Sequence, residues 1–394
     1  MKLPSAARMD RLGTESAFEV LVRARALEAK GVDVIHLEIG EPDFATPGHI
    51  VEAGIKALRD GATHYGPPAG LPALREAVAA DVAASRGIAV HPDQVVITPG
   101  GKPVMFFAIL AAIEPGDEVL LPDPGFPIYA SLVNFVGGVP VPLTLREDLD
   151  FRLDIDELAA KLTPRSRMLI LNSPHNPCGS ALTAADLRAV ADLVRGRDLL
   201  VLSDEIYSRM TYGSPHVSIA AEPEMAAQTI ILDGFSKTYA MTGWRLGYGI
   251  FPGDLAERIA LLMTNSNSCT ATFTQLAGIA ALTGPQQPME AMMAEFAARR
   301  DLVVAGLDSI PGWRCRRPAG AFYAFPNVRV PGDNSRRLAD YFLESAGVAL
   351  LSGAGFGAAG EGYLRLSYAN SREKLQEAIQ RLAAATDQRL AARL

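Results

Sequence analysis

Thr229-Ile-Ile-Leu-Asp-Gly-Phe-Ser-Lys-Thr-Tyr-Ala-Met-Thr-Gly-Trp-Arg245 is the stretch from which the rest of the chain can be read. Thr229 to Leu232 is an apolar run of strand length and type. Past its end Ser236 and Lys237 stand side by side, and Arg245 follows eight residues after the lysine. A lysine just beyond a buried strand, with a serine beside it and an arginine nearby, has the makings of a covalent cofactor anchor next to an anion site. A bare Ser-Lys pair more readily reads as a solvated loop, because most lysines are exposed. The company Lys237 keeps favours the anchor. Val201-Leu-Ser-Asp-Glu-Ile-Tyr207 places Asp204 and Tyr207 at the end of a second apolar run, and Asn172-Ser-Pro-His-Asn-Pro-Cys-Gly179 closes a third.

Working outward, strand-like and helix-like segments alternate: Val95 to Thr98, a helix from Lys102, Glu118 to Leu121, Val139 to Leu143, a helix from Asp154, Met168 to Leu171, a helix from Ala184, and Leu199 to Ser203. This pattern predicts an α/β fold with a mostly parallel sheet covered by helices on both faces. In such sheets ligands collect at the carboxyl ends of the strands. Asn172, Asp204 and the Lys237 loop each lie at one, so residues far apart in sequence should converge on one crevice. Thr98-Pro-Gly-Gly-Lys102 opens a helix directly after a strand, so its backbone amides and the helix dipole make a phosphate cradle. It is not a P-loop, since the Lys-Ser/Thr pair is missing. Gly355-Phe-Gly-Ala-Ala-Gly360 fits the dinucleotide fingerprint and follows the strand-like Val348 to Leu351. Tyr363 to Tyr368 comes straight after it and alternates like a strand, leaving no room for the helix the fingerprint needs. Toward the N-terminus, Phe18, Val22, Ala26 and Ala29 predict a helix from Ser16 to Lys30, stopped by Gly31. Thr183 with Asp186 marks another helix start, although a capping box ordinarily carries Glu or Gln there. Met289 to Leu307 reads as a long helix past Pro285.

Composition narrows the function classes. The chain has 394 residues, 49% apolar and 21% charged, which fits an ordinary globular protein large enough for two domains. A net charge of -7 gives no basic footprint for nucleic acid, and Arg314-Cys-Arg-Arg317 reads as a solvated loop. Val104 to Ile113, the longest apolar run, is too short to span a bilayer, and the first residues lack the apolar core of a signal peptide. A cytoplasmic protein is expected. Cys178, Cys269 and Cys315 are too few and too widely spaced for a disulfide framework or a Cys-x-x-Cys metal site. No His-Glu-x-x-His arrangement occurs, so the sequence offers no case for a metal.

The three motifs around Asn176, Asp204 and Lys237, with Gly40-Glu-Pro-Asp-Phe44, His64-Tyr-Gly-Pro-Pro-Ala-Gly70, Pro318-Ala-Gly-Ala-Phe-Tyr323 and Arg365-Leu-Ser-Tyr-Ala369, resemble the class I aminotransferases. These are pyridoxal 5′-phosphate (PLP) enzymes of fold type I, similar to aspartate aminotransferase. The resemblance runs from about Ser16 to the last helix and implies that Lys237 is the covalent anchor and proton shuttle. A buried carboxylate keeps the cofactor's pyridine nitrogen protonated, and the resemblance gives that role to Asp204. It makes Tyr207 and Asn176 hydrogen-bond donors to the phenolate oxygen, and Phe126 the aromatic that stacks on the ring. Phosphate falls to the Gly101 and Lys102 amides, Ser236, Arg245 and Tyr65 of the other subunit, which implies a homodimer. Arg365 becomes the bidentate clamp on the substrate's α-carboxylate. Strand alternation alone leaves Arg365 equally open to a solvent-facing reading. Gly40 is implied in the substrate pocket, where its backbone approaches the substrate, although Gly-Glu-Pro-Asp is also a serviceable turn.

Amino acids and 2-oxo acids are thus the implied substrates, exchanged by ping-pong kinetics. Lys102 stands where one aspartate aminotransferase subgroup points a lysine at the substrate's distal carboxylate, which implies aspartate or glutamate with 2-oxoglutarate. Phe18, near the same entrance, would favour alanine or aromatic donors. A rival reading is a carbon-sulfur lyase of the same fold, because His175 makes Pro-His-Asn-Pro. Thr242-Gly-Trp-Arg-Leu-Gly-Tyr248 looks instead like the aspartate and alanine aminotransferases. A PLP-binding regulator would need a DNA-binding module for which the chain has no spare length. Expected domains are an N-terminal segment, 1–45, joining a small C-terminal domain, 286–394, around a large PLP-binding domain, 46–285.

Overall fold

Apolar strands buried on both faces form the centre of the molecule, as continuous runs of Val, Ile and Leu require. The computed structural model describes residues 5–328 and 333–391. Helix α1 (Ser16–Glu28) and strand β1 (Ile35–His36) come first, then α2 (Gly48–Arg59), α3 (Pro72–Arg86), β2 (Val95–Thr98) and α4 (Lys102–Ala112). They are followed by β3 (Glu118–Asp123), α5 (Ile128–Val136), β4 (Val139–Thr144), α6 (Ile155–Lys161), β5 (Ser166–Asn172), α7 (Ala184–Val194) and β6 (Leu200–Asp204). Next come β7 (Thr229–Gly234), β8 (Gly247–Ile250), α8 (Leu255–Ser266), α9 (Thr272–Thr283) and α10 (Gln287–Asp308). The chain ends with β9 (Tyr323–Ala324), α11 (Ser335–Ala346), β10 (Val348–Ala349), β11 (Leu351–Ser352), β12 (Leu364–Ser367) and α12 (Arg372–Ala391).

Seven strands make the central sheet in the order β2-β8-β7-β6-β5-β3-β4. The neighbours from β7 to β4 run parallel, and β8 alone is antiparallel, to both β2 and β7. The expected mostly parallel α/β sheet is therefore present. Helices α2, α3, α8 and α9 were not read from the sequence, nor were strand β8 and helix α5. Strand β8 is Gly-Tyr-Gly-Ile, and glycine weakens any strand signal. Gly247 is required there because a Cβ would lie 2.5 Å from the backbone of Gly100, so β8 can close on the turn ahead of α4 only without a side chain. Helix α5 was also unforeseen, being a short apolar element between two strands, where periodicity is a poor guide.

Local signals set several boundaries. Asp154 caps α6 by accepting from the amides of Asp156 and Glu157. Thr183 and Asp186 do form a reciprocal capping box, with the Asp186 carboxylate accepting from the Thr183 amide at 2.8 Å. The shorter acid closes the box. Val348 to Leu351 was expected as one strand but divides between two sheets. Its first half, β10, pairs in parallel with β1, while β11 joins an antiparallel sheet in the order β11-β12-β9. Four residues are too few for periodicity to reveal such a switch. The segment 353–360 folds as two 3-10 turns and not as a nucleotide-binding helix. Phe296, Phe322, Tyr368, Leu382 and Phe342 make a core between α10, α11, α12 and the short strands, separate from the cores on the two faces of the central sheet. Glu147, ahead of α6, accepts hydrogen bonds from Arg314, Asn327 and Tyr363 and so joins this core region to the central sheet. Among the described residues, no helix is long and apolar enough to cross a membrane.

Candidate active site

The carboxyl ends of β5, β6 and β7 lie side by side, since Asn172 pairs with Asp204 and Asp204 with Leu232 in the ladder. They open into a cavity of about 440 Å³. Asp204, the last residue of β6, is 4% exposed. Its carboxylate accepts a 2.6 Å hydrogen bond from the Tyr129 hydroxyl and another from the Ile206 amide, and among the described residues no cation pairs with it. Burial pushes its pKa up to about 6, partly offset by those two donors. Lys237, just past β7, is partly exposed through the same cavity and donates from Nζ to the Gly40 carbonyl. Burial lowers its pKa to about 8.

Arg365, on β12, comes in from the other side. It is 4% exposed and packed between two rings, with Cζ 4.6 Å from the Tyr323 centroid and 5.0 Å from that of Phe356. Its two terminal nitrogens donate to the Asn176 side-chain oxygen and the Glu38 carbonyl, while Nε is buried without a partner. No acidic side chain among the described residues pairs with it. A buried guanidinium with spare donors and no counterion is suited to an anion brought from outside. Arg245 is likewise without an acidic partner among the described residues and donates to the Thr242 and Pro99 carbonyls. It stands beside the turn leading into α4, whose first residues, Gly101 and Lys102, also line the cavity with Ser236.

Asn176, Tyr207, Phe126 and Gly40 complete the set that the structure brings together. The Tyr207 hydroxyl shares a 2.8 Å hydrogen bond with that of Tyr323. Asn172 holds the Asn176 loop in place, accepting from the Asn176 amide and donating to the Asp204 carbonyl. Gly40 owes its lack of a side chain to Tyr323, whose hydroxyl would lie 2.2 Å from a Cβ there. Tyr65 stands apart from the cavity of its own chain and is 89% exposed. Sequence reasoning missed Tyr129, Tyr323 and Glu15. Tyr129 lies three residues after Phe126, a spacing that puts both on one side of a helix start. Tyr323 sits in a motif that was noticed without a role for its hydroxyl. His175 is buried outside this cavity, its Nδ1 accepting from the Cys178 amide, and burial holds its pKa down at about 3.

The donor set fits PLP. A buried carboxylate lacking a cation suits a protonated ring nitrogen, an amine of lowered pKa suits a carbonyl carbon, and an unpaired arginine beside a helix N-terminus suits a phosphate. Fold and cavity together define a PLP-dependent enzyme of fold type I. The family model for aminotransferase class I and II matches residues 32–382. The aspartate aminotransferase of Geobacillus stearothermophilus is 41% identical, over 97% of this chain and 98% of its own. Aromatic-amino-acid aminotransferase 2 of Thermococcus litoralis is also 41% identical, over 90% of this chain and 92% of its own. Among solved structures, the Thermus thermophilus aspartate aminotransferase with maleate superposes with a TM-score of 0.93 at 35% identity, covering 98% of this chain and all of that one. The chain belongs to the class I and II aminotransferases: it moves amino groups between amino acids and 2-oxo acids with PLP as cofactor. The carbon-sulfur lyase reading is not favoured, since these relatives are aminotransferases and His175 does not face the cavity.

Proposed function

We propose that Arg365 binds the α-carboxylate of the amino acid and that Lys237 carries the proton. The observation that bears most weight is the buried Arg365 guanidinium, without an acidic partner among the described residues and open to the cavity that holds the lysine. PLP supplies the electron sink that lets the Cα–H bond of a bound amino acid ionise. Asp204 would hold the proton on the ring nitrogen, its carboxylate oriented by Tyr129. Tyr207 and Asn176 would supply the donors for the phenolate oxygen, and Phe126 the aromatic surface for the ring. Arg245, Ser236 and the amides of Gly101 and Lys102 bind the phosphate, with Arg245 the charged clamp. Lys237 Nζ, the amine lining the cavity, would take the proton from Cα and return it. Two half-reactions sharing one site give ping-pong kinetics.

Aspartate and glutamate are the proposed donors, with 2-oxoglutarate as acceptor. Lys102 is the lining cation given neither to the α-carboxylate, nor to the proton, nor to the phosphate by its side chain, and the aspartate aminotransferase relative supports its assignment to a distal carboxylate. A donor-by-acceptor activity panel tests it, with Lys102→Ala as the probe. Loss of one charged contact, about 1.5 to 3 kcal/mol, should lower kcat/KM for aspartate and glutamate roughly 10- to 100-fold and leave alanine nearly unchanged. Equal losses for alanine and aspartate would assign Lys102 to the phosphate or the fold.

The working unit is proposed to be a cytoplasmic homodimer, with Tyr65 of each chain reaching the other's phosphate. An exposed tyrosine in the loop before α3 and three free thiols support this. Residues 1–45 are proposed to join 286–394 in a small domain beside the large domain 46–285, a division that the β1–β10 pairing favours. Sedimentation of the holoenzyme and PLP retention by Tyr65→Phe check the dimer.

A further inference from the structure

Glu15, immediately ahead of α1, reaches across the mouth of the cavity and pairs with Lys102 at the start of α4. Both side chains line the cavity. The start of α1 is seated on the short strands, where Ala17 packs with Leu351 and Phe356, so the pair spans from that side of the molecule to the central sheet. Glu15 makes no side-chain capping bond to its helix, and its carboxylate acts electrostatically on Arg365 and Lys237 as well as on Lys102. A carboxylate of the chain itself therefore stands in the substrate's space, on the cation that a substrate's distal carboxylate would need. Phe18 lines the same cavity, and so does Phe126, whose ring centroid lies 5.6 Å from the Lys102 amine.

We propose that Glu15 is a specificity-determining residue, an internal competitor for Lys102 that must swing away before an acidic side chain can bind. The proposal rests on the assignment of Lys102 to the substrate's side chain. Two carboxylates on one ammonium would leave an excess negative charge in a partly desolvated site, so substrate and Glu15 cannot both remain. A neutral or aromatic side chain imposes no such exchange and packs against the phenylalanines with the pair closed. Glu15 thus weakens dicarboxylates selectively and lets one pocket serve both substrate classes.

The test uses the holoenzyme and Glu15→Gln, with Glu15→Ala as a second variant, and reads both kinetics and binding. With the competitor's charge removed, KM for aspartate and the dissociation constant of maleate, measured by calorimetry, should each fall about 10-fold, the value of one modest charged contact. Values of kcat, the KM for alanine and phenylalanine, and the melting temperature should hold within about twofold or a degree or two. Unchanged maleate affinity in both variants, alongside a selective aspartate loss in Lys102→Ala, would overturn the competitor and leave the Lys102 assignment standing. Equal loss of alanine and aspartate in Lys102→Ala would remove that assignment and the competitor with it.

Discussion

The Tyr129 hydroxyl donates a 2.6 Å hydrogen bond to Oδ2 of Asp204, joining the first turn of α5 to the end of β6. The bond orients a carboxylate that has no cation of its own among the described residues. Burial makes that arrangement costly in the protein without cofactor, because desolvation disfavours the charged form.

Asp204→Asn should therefore stabilise the apoprotein while abolishing useful turnover. The folded-state pKa, about 6, lies above the ordinary 3.8. The group's contribution to stability is thus full below about pH 4 and lost as pH rises through 6. Asparagine has no charge to desolvate and can still accept from Tyr129. Urea denaturation at pH 7 to 8 should show the variant more stable by about 1 to 3 kcal/mol, with the gap closing below pH 4. A variant equally stable at every pH would contradict the burial account.

Lys237→Ala should eliminate transamination and the yellow colour of the bound cofactor. In the wild type, borohydride should fix the cofactor to Lys237, as peptide mapping would reveal. Since burial lowers its pKa to about 8, the amine is roughly one-tenth neutral at pH 7. Reconstitution of apoenzyme with PLP should accelerate as pH rises toward 8 and level off above it. A rate still climbing tenfold between pH 9 and 10 would indicate an ordinary solvated lysine.

Arg365→Ala should weaken every amino-acid substrate by a similar factor, about 30- to 1000-fold in kcat/KM for roughly 2 to 4 kcal/mol of bidentate contact. PLP affinity, followed by equilibrium dialysis, should change little. Lysine at this position should recover only part of the loss, because a point charge cannot match a carboxylate's two oxygens. Poor cofactor retention with intact kcat/KM after reconstitution would show that Arg365 serves the cofactor.

Arg86→Met should destabilise the apoprotein by about 3 to 5 kcal/mol. Arg86, on α3, bonds Glu205 at 3.0 Å and also Asp233, and all three are buried next to the strand ends that carry Asp204 and Lys237. Burial pushes Glu205 up, but His216 and Arg86 outweigh it and hold the pKa at about 2. Removing the arginine takes the cation from Asp233 and leaves Glu205 with the His216 imidazole and neutral donors. Chemical denaturation of Arg86→Met against an Arg86→Met, Glu205→Gln, Asp233→Asn variant checks this, since neutralising all three should restore most of the loss.

Much of the large sheet was legible because a strand buried on both faces must be apolar through its middle, as Met168 to Leu171, Leu200 to Leu202 and Ile230 to Leu232 are. The residues ending those strands were legible for a related reason: polar groups interrupt an apolar run only where the strand leaves the core, and in a parallel sheet those exits lie on one edge. That reasoning reaches Asn172, Asp204 and the Lys237 loop from the sequence alone. Strand β8 and the division of 348–352 between two sheets were not legible, since two glycines in one and the shortness of the other erase periodicity.

By itself, the sequence determined the α/β architecture and, through motifs spread along most of the chain, the aminotransferase family and its cofactor. Tertiary structure alone decided which side chains touch. Tyr129 meets Asp204 across 75 residues, Glu15 meets Lys102 across 87 and Tyr207 meets Tyr323 across 116. Periodicity reports only which face of its own element a residue occupies, whereas these contacts depend on how separate elements pack against one another. The lowered amine, the raised carboxylate and the occupied lysine at the cavity mouth follow from that packing, because burial and counter-charge are properties of the assembled crevice.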